Sequence, residues 1–212
     1  MRPFVHVNCA MSADGRIAGV ERTQIRISSK EDMDRVKALR AGYGSIAVGV
    51  GTVISDDPHL TVKGLGRDEN PVRVVIDPNG RTPDGALVLD GRARTVIATS
   101  SSCAREWAGA ETVRCGDPFD LSSALRELGG MGIESMLVEG GGRTIWHFFD
   151  SGFVDRFTVF VGGVVIGGTG APTPADGPGW VAGNGVEMDL VAAETLGNGA
   201  LLTFEGIRKA RG

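Results

Sequence analysis

Two stretches of this chain carry residue types at spacings that could do chemistry. The first runs Ser135-Met136-Leu137-Val138-Glu139-Gly140-Gly141-Gly142-Arg143, and Ile145, Phe148 and Phe149 then recur at helical spacing. A strand, a glycine turn and a helix aim backbone N–H groups and a positive helix end at a bound anion. Lacking Cβ atoms, Gly140, Gly141 and Gly142 let a phosphate or a flat ring approach the main chain. Glu139 then stands at the carboxyl edge of a strand, where open α/β sheets bind ligands; a tight turn with a solvated Glu is the plainer alternative. The second stretch, Ser45-Ile46-Ala47-Val48-Gly49-Val50-Gly51-Thr52-Val53-Ile54-Ser55-Asp56-Asp57-Pro58, repeats the construction, with Gly49 and Gly51 where the strand ends. Its helix must be short, because Pro58 disfavours helix at Asp57. Thr52 and Asp56 share one face of it, a hydroxyl beside a carboxylate, unless Asp56 or Asp57 simply closes the turn. Two such turns in one chain point to a nucleotide cleft.

The elements that must position these groups follow from periodicity. Val5, Val7 and Cys9 alternate with His6 and Asn8 in a first strand, and Asp14-Gly15 forms a turn, Asp14 being a turn former or a ligand contact. Ser28 with Glu31 predicts a capped helix start, with Met33, Val36 and Leu39 as its apolar stripe and Arg40 toward its end, on a solvated face or at an anion. Strands are expected at His59–Lys63, Val72–Ile76 (closed by the Asp77-Pro78-Asn79-Gly80 turn), Thr95–Thr99, Glu111–Cys115, Ser135–Glu139 and Phe153–Val161. A short helix is expected from Ser101 to Trp107, and Asp120 caps another that stops at Gly129-Gly130. Gly162–Gly185 reads as a long irregular loop, functional or an interface, and Gly197-Asn198-Gly199 turns a final β-hairpin. Strands alternating with helices give an α/β chain with a mostly parallel sheet and an antiparallel pair at its end. With no repeat, linker or charge block, residues 1–212 are expected to form one domain.

The usual dinucleotide fingerprint, G-x-G-x-x-G after the first strand, is missing, so a standard Rossmann dehydrogenase is disfavoured. The zinc-deaminase signature is absent too, and three cysteines without a C-x-x-C pair argue against a structural zinc site. A net charge of -4 argues against coating nucleic acid. No apolar run approaches the ~20 residues of a membrane span, and the N-terminus lacks the apolar segment of a secretory signal. A cytoplasmic protein is expected.

The arrangement resembles the dihydrofolate-reductase-like reductases of riboflavin biosynthesis. The resemblance rests on Ala10-Met11-Ser12-Ala13-Asp14-Gly15-Arg16-Ile17-Ala18, on Val48 through Val62, on Pro71 through Asp77, on Leu137 through Gly142 and on Gly170-Ala171-Pro172-Thr173. It covers about Val5 to Phe204 and implies a single domain of that fold. It also implies NADPH-dependent reduction of a ribosylaminopyrimidine phosphate to its ribitylamino product. Cofactor-binding positions are then Ala10, Gly49, Thr52, Asp56 and Glu139 through Arg143; substrate-binding positions are Gln24, Arg40, Leu60, Lys63 and Glu139. Arg40 and Lys63 become the anchors of the 5′-phosphate. Pro78 replaces a serine that the family often places near the cofactor's 2′-phosphate. Arg81 is the charged donor in reach, and NADH stands as the alternative to NADPH. Arg26 replaces an aromatic found in some relatives at the cofactor. Asp56 is the candidate proton donor, with Glu139 positioning the pyrimidine or ribose. No metal is implied. The family commonly forms homodimers, with the Phe153–Val161 strand and the Gly/Pro loop as candidate interfaces. Alternatives are reduction of the deaminated pyrimidine or of another heterocycle such as dihydrofolate, and a non-catalytic NADPH-binding module.

Overall fold

The computed structural model describes residues 1–22 and 25–209. The chain divides into two compact units, one of Met1–Phe4 with Lys37–Val138, the other of Val5–Val36 with Glu139–Gly212.

In the first unit the short β-branched runs become β2 (Ser45–Gly49), β3 (Val72–Ile76), β4 (Thr95–Thr99) and β5 (Glu111–Arg114). They pair in parallel in the order β5-β4-β3-β2, and β6 (Ser135–Gly140) lies next to β2. Residues 45–49 and 95–99 are buried throughout, which is why those strands lack alternation. Ile46, Val48, Val53, Val75, Ile97 and Trp107 form one core cluster. α2 (Val50–Asp56) stops where Pro58 requires it. α3 (Leu121–Gly130) is capped as expected, the Asp120 carboxylate accepting from the N–H groups of Ser122 and Ser123. The expected helix at Ser101–Trp107 does not form. Trp107 is instead drawn into the core, where its Nε1–H donates to the Thr82 carbonyl at 2.8 Å, and Arg105 is occupied with Gly80 and Asp84.

In the second unit β1 (Phe4–Ser12, from Val5 onward) runs parallel to β7 (Arg156–Gly162), with Val7 opposite Phe157. Within this unit the order is β1-β7-β9-β8, where β8 (Val186–Leu196) and β9 (Gly199–Lys209) form the antiparallel hairpin across Gly197-Asn198. α4 (Gly142–Asp150) buries Ile145, Trp146, Phe148 and Phe149; truncating a buried aromatic such as Phe148 to Ala would cost about 3–5 kcal/mol. The alternation in β1 does not separate core from solvent, since His6 and Asn8 are buried like Val5 and Val7. Their polar atoms join a buried network. The Thr158 hydroxyl donates to Asn8 Oδ1 at 2.8 Å, so it accepts from His6 Nε2 at 2.9 Å, and Arg35 also donates to Asn8 Oδ1. Burial, with the charges of Arg156 and Arg35, pushes His6 down to about 4.

α1 (Lys30–Ala41) passes from one unit to the other at Val36. Its start is one residue later than expected: Ser29, not Ser28, accepts from the Asp32 N–H, while Ser28 donates to the Asp32 carboxylate. The apolar stripe is also corrected. Met33 is exposed, and the helix residue that goes inside is Asp32, made affordable by Arg35 at 2.8 Å and by Ser28. Of the two segments expected at an interface, the strand buries Phe157, Val159 and Phe160 and leaves Phe153 and Val161 half-buried, while the loop exposes Val165 and Val181. Among the described residues no helix is long and apolar enough to cross a membrane.

Candidate active site

The first unit holds Gly49 just before α2, and Thr52 and Asp56 on that helix. Gly49 is the extended residue before the helix, with no side chain capping it. Thr52 is half-buried and Asp56 exposed, one turn apart on the same side. The chain then turns sharply. Asp57 (φ 40°) closes α2 by donating its N–H to the Val53 carbonyl at 3.1 Å, and its carboxylate accepts from the Leu87 N–H at 2.7 Å.

The strand expected at His59–Lys63 is not formed, because Leu60 takes a left-handed backbone (φ 49°) that no strand accommodates. Such a conformation costs a non-glycine residue about 1–3 kcal/mol and persists only where neighbours enforce it. Here Leu60 is buried, and the preceding carbonyl, of His59, accepts from the guanidinium of Arg73 at 3.4 Å. Asn70 fixes the next turn, accepting from the Val62 N–H at 2.8 Å and donating to the carbonyls of Leu65 and Gly66.

This irregular segment walls an open cavity of about 750 Å³. Arg40, Leu60 and Lys63, three of the expected substrate residues, all line it. So do His59, Arg67 and Arg92, which the sequence reading did not single out, and no Asp or Glu is in the lining. Four guanidinium or ammonium groups line this one cavity, Asp90 pairing with Arg92 at 3.2 Å, and a lining so rich in cations suits a phosphate dianion. A cluster of Arg and Lys spread over residues 40, 63, 67 and 92 has no sequence periodicity, so no pattern could have gathered it. Arg81 is exposed beyond β3. Asp77 closes the turn before it, accepting from the Thr82 N–H and hydroxyl at 2.7 Å each, while the Pro78 carbonyl accepts from Ser100.

The second unit holds Ala10, Arg26 and the run from Glu139 to Arg143. Ala10 and Glu139 are half-buried; Arg26 and Arg143 are exposed. Gly140 (φ 154°) takes a backbone that favours glycine. Gly141 precedes α4, and no side chain caps that helix or puts an acid in its first turn. Gly142 is closely covered: a Cβ there would lie 2.5 Å from the Thr173 carbonyl oxygen and 2.7 Å from Asp176 Cβ. The Asp176 N–H donates to the Gly142 carbonyl at 3.1 Å. A positive helix end, glycine backbone and Arg143 together are a donor set that fits the phosphates of a dinucleotide. Asp14 is a turn former with a wider reach: its carboxylate accepts from the Ser12 hydroxyl and from the N–H groups of Ile166 and Gly167. Those bonds hold it down at about 2 and tie the long loop to the Asp14 turn. Gln24 lies outside the described residues.

The profile of the RibD C-terminal domain matches residues 3–202. The chain belongs to that family. Among its relatives, the 2,5-diamino-6-ribosylamino-4(3H)-pyrimidinone 5′-phosphate reductase of Archaeoglobus fulgidus is 37% identical, over 96% of this chain and 98% of its own length. The protein of the same name from Methanothermobacter thermautotrophicus is 38% identical, also over 96% and 98%. Among solved structures, the diaminohydroxyphosphoribosylaminopyrimidine deaminase/5-amino-6-(5-phosphoribosylamino)uracil reductase of Thermotoga maritima superposes with a TM-score of 0.81 at 28% identity. The match takes in 96% of this chain and 56% of that longer one. The α/β architecture, with parallel strands and an antiparallel C-terminal hairpin, is that of the RibD reductase fold.

Proposed function

We propose that this chain is the reductase of riboflavin biosynthesis that converts 2,5-diamino-6-(5-phospho-D-ribosylamino)pyrimidin-4(3H)-one to its ribitylamino product, with NADPH as reductant. The observation that carries the reading is the cationic cavity of the first unit, where Arg40, Leu60 and Lys63 converge with no carboxylate in the lining. A phosphorylated sugar matches that field; an unphosphorylated heterocycle such as dihydrofolate makes no use of it.

In this reading Ala10, Gly49, Thr52, Asp56 and Glu139 through Arg143 hold the cofactor, with Arg26 beside them and Arg81 toward its 2′-phosphate. Gln24 joins the substrate residues. When bound, the reduced nicotinamide supplies the hydride for C1′ of the ring-opened ribosylamine. As the C=N bond becomes single, its nitrogen needs a proton, and Asp56 donates it. Glu139 orients the pyrimidine or ribose. Residues 1–212 act as one catalytic domain, as a homodimer in the cytoplasm.

The test is loss of NADPH absorbance on adding the ribosylaminopyrimidine phosphate, with dihydrofolate, the deaminated pyrimidine and cofactor alone as controls. Oxidation that depends on the diaminopyrimidine substrate supports the assignment. Cofactor binding without oxidation on any pyrimidine would reduce the protein to a nucleotide-binding module. NADH run in parallel reads the role of Arg81, since preference for NADPH should fall in Arg81→Ala.

A further inference from the structure

Two of the cavity's lining residues, His59 and Arg92, are not accounted for by the family assignment, and one carboxylate holds both. Asp90 follows the 3₁₀ turn at Leu87–Leu89. Its Oδ2 meets His59 Nδ1 at 3.1 Å and Arg92 Nε at 3.2 Å, and its Oδ1 accepts from the Arg92 backbone N–H at 3.0 Å and from Arg73 at 2.8 Å. His59 and Arg92 line the cavity; Asp90 and Arg73 do not. Arg73 is wholly buried and fixed to the carbonyls of Leu87 and Ala93 and to Thr95, so Asp90 is anchored from behind. An exposed arginine ordinarily loses much of its binding free energy to side-chain ordering. Here Asp90 already meets both the ring of His59 and the guanidinium of Arg92, so less ordering is left for the ligand to impose.

Resting on the reductase reading, we propose that His59 and Arg92 bind the phosphate of the substrate together with Arg40 and Lys63, with Asp90 as the residue that positions them. With its Nδ1–H given to Asp90, His59 presents Nε2–H to the phosphate as the imidazolium, and the guanidinium supplies charge with paired donors suited to phosphate oxygens. Lys63 alone would be a flexible point charge. The ordered pair makes the site selective for a phosphomonoester over a carboxylate or a neutral sugar.

Calorimetric titration with ribose 5-phosphate tests this without turnover. Arg92→Ala and His59→Ala are each expected to weaken binding roughly fivefold, the exposure of both side chains keeping the loss below that of a buried contact. In turnover the KM for the phosphorylated pyrimidine should rise by a similar factor, with a smaller change in kcat, and Arg92→Lys should recover part of it. Asp90→Asn should raise KM as well. Because that change also removes the counter-charge of Arg73 and can unfold the unit, the decision rests on Arg92 and His59. Wild-type affinity in both alanine variants, alongside a loss in Arg40→Ala, overturns the proposal, as does a wild-type protein that does not bind ribose 5-phosphate. Wild-type protein that binds ribose 5-phosphate through these residues, yet oxidises no NADPH with the pyrimidine phosphate, sinks the proposed reaction and leaves this site standing.

Discussion

Replacing Arg73 by Met keeps the length of the side chain and deletes every polar contact it makes. The guanidinium is fully buried and donates to Thr95 Oγ1 at 2.9 Å, Asp90 Oδ1 at 2.8 Å and the carbonyls of Ala93, Leu87 and His59 at 2.8, 3.2 and 3.4 Å. Removing one partner of a buried ion pair costs about 3–5 kcal/mol, a large part of the roughly 5–15 kcal/mol that holds a domain folded. Asp90 keeps Arg92 and His59, which holds the expected loss inside that range rather than above it. At ~2–4 °C per kcal/mol for a chain of this size, Tm should fall by roughly 6–20 °C. Arg73→Lys, retaining the charge but not the fork of donors, should fall between. Urea unfolding followed by tryptophan fluorescence is a suitable assay, because Trp107 sits in the core cluster of the same unit. The Arg73→Met, Asp90→Asn double variant should lose less than the sum of the singles. A stability of Arg73→Met within 1 kcal/mol of wild type would refute the reasoning, since ~1 kcal/mol is what a single neutral hydrogen bond contributes.

Three further outcomes follow from the same geometry. His6 is held neutral by burial and by Arg156 and Arg35, down to about 4, so below its ordinary value only the unfolded chain takes up the proton. Stability should therefore fall as pH drops from about 6.5 towards 4, by up to ~1.4 kcal/mol per pH unit, and His6→Gln should flatten that slope in urea titrations at pH 7 and 5; identical slopes would exclude it. Gly142→Ala meets the Thr173 carbonyl and Asp176 and should destabilise by about 1–3 kcal/mol. Gly51→Ala, whose Cβ would meet nothing within 4 Å in α2, should be neutral or gain about 0.5–1 kcal/mol; thermal melts that rank the two the other way contradict the packing described. Asp56→Asn should lower kcat by about 100-fold or more, as loss of a general acid does, with NADPH affinity largely kept; equal turnover removes Asp56 from the mechanism.

Much of this protein was legible as a string of residues. Val72–Ile76 and Thr95–Thr99 form strands because compact β-branched runs buried on both faces admit few other structures. Pro58 ended α2, Asp120 capped α3, and Gly197-Asn198 turned the hairpin, each through chemistry confined to a few neighbouring residues. The glycine turns at Gly49 and at Gly140–Gly142 were equally visible, and at Gly140 the backbone angle and at Gly142 the close cover call for glycine. What the tertiary structure alone decided is where charges go. Arg73 stands in an apolar strand, and only the fold brings it Asp90, from a turn with no pattern of its own, as counter-charge. His59–Lys63 looks extended until Arg73 and Asp90 hold the turn at Leu60, and Asp32 goes inside only because Arg35 and Ser28 enclose it. Hydrophobic periodicity is local and repeats along the chain, whereas a buried ion pair or a phosphate cavity is a sum over residues far apart in sequence. Their energies depend on distance and desolvation, and neither exists before the chain has folded.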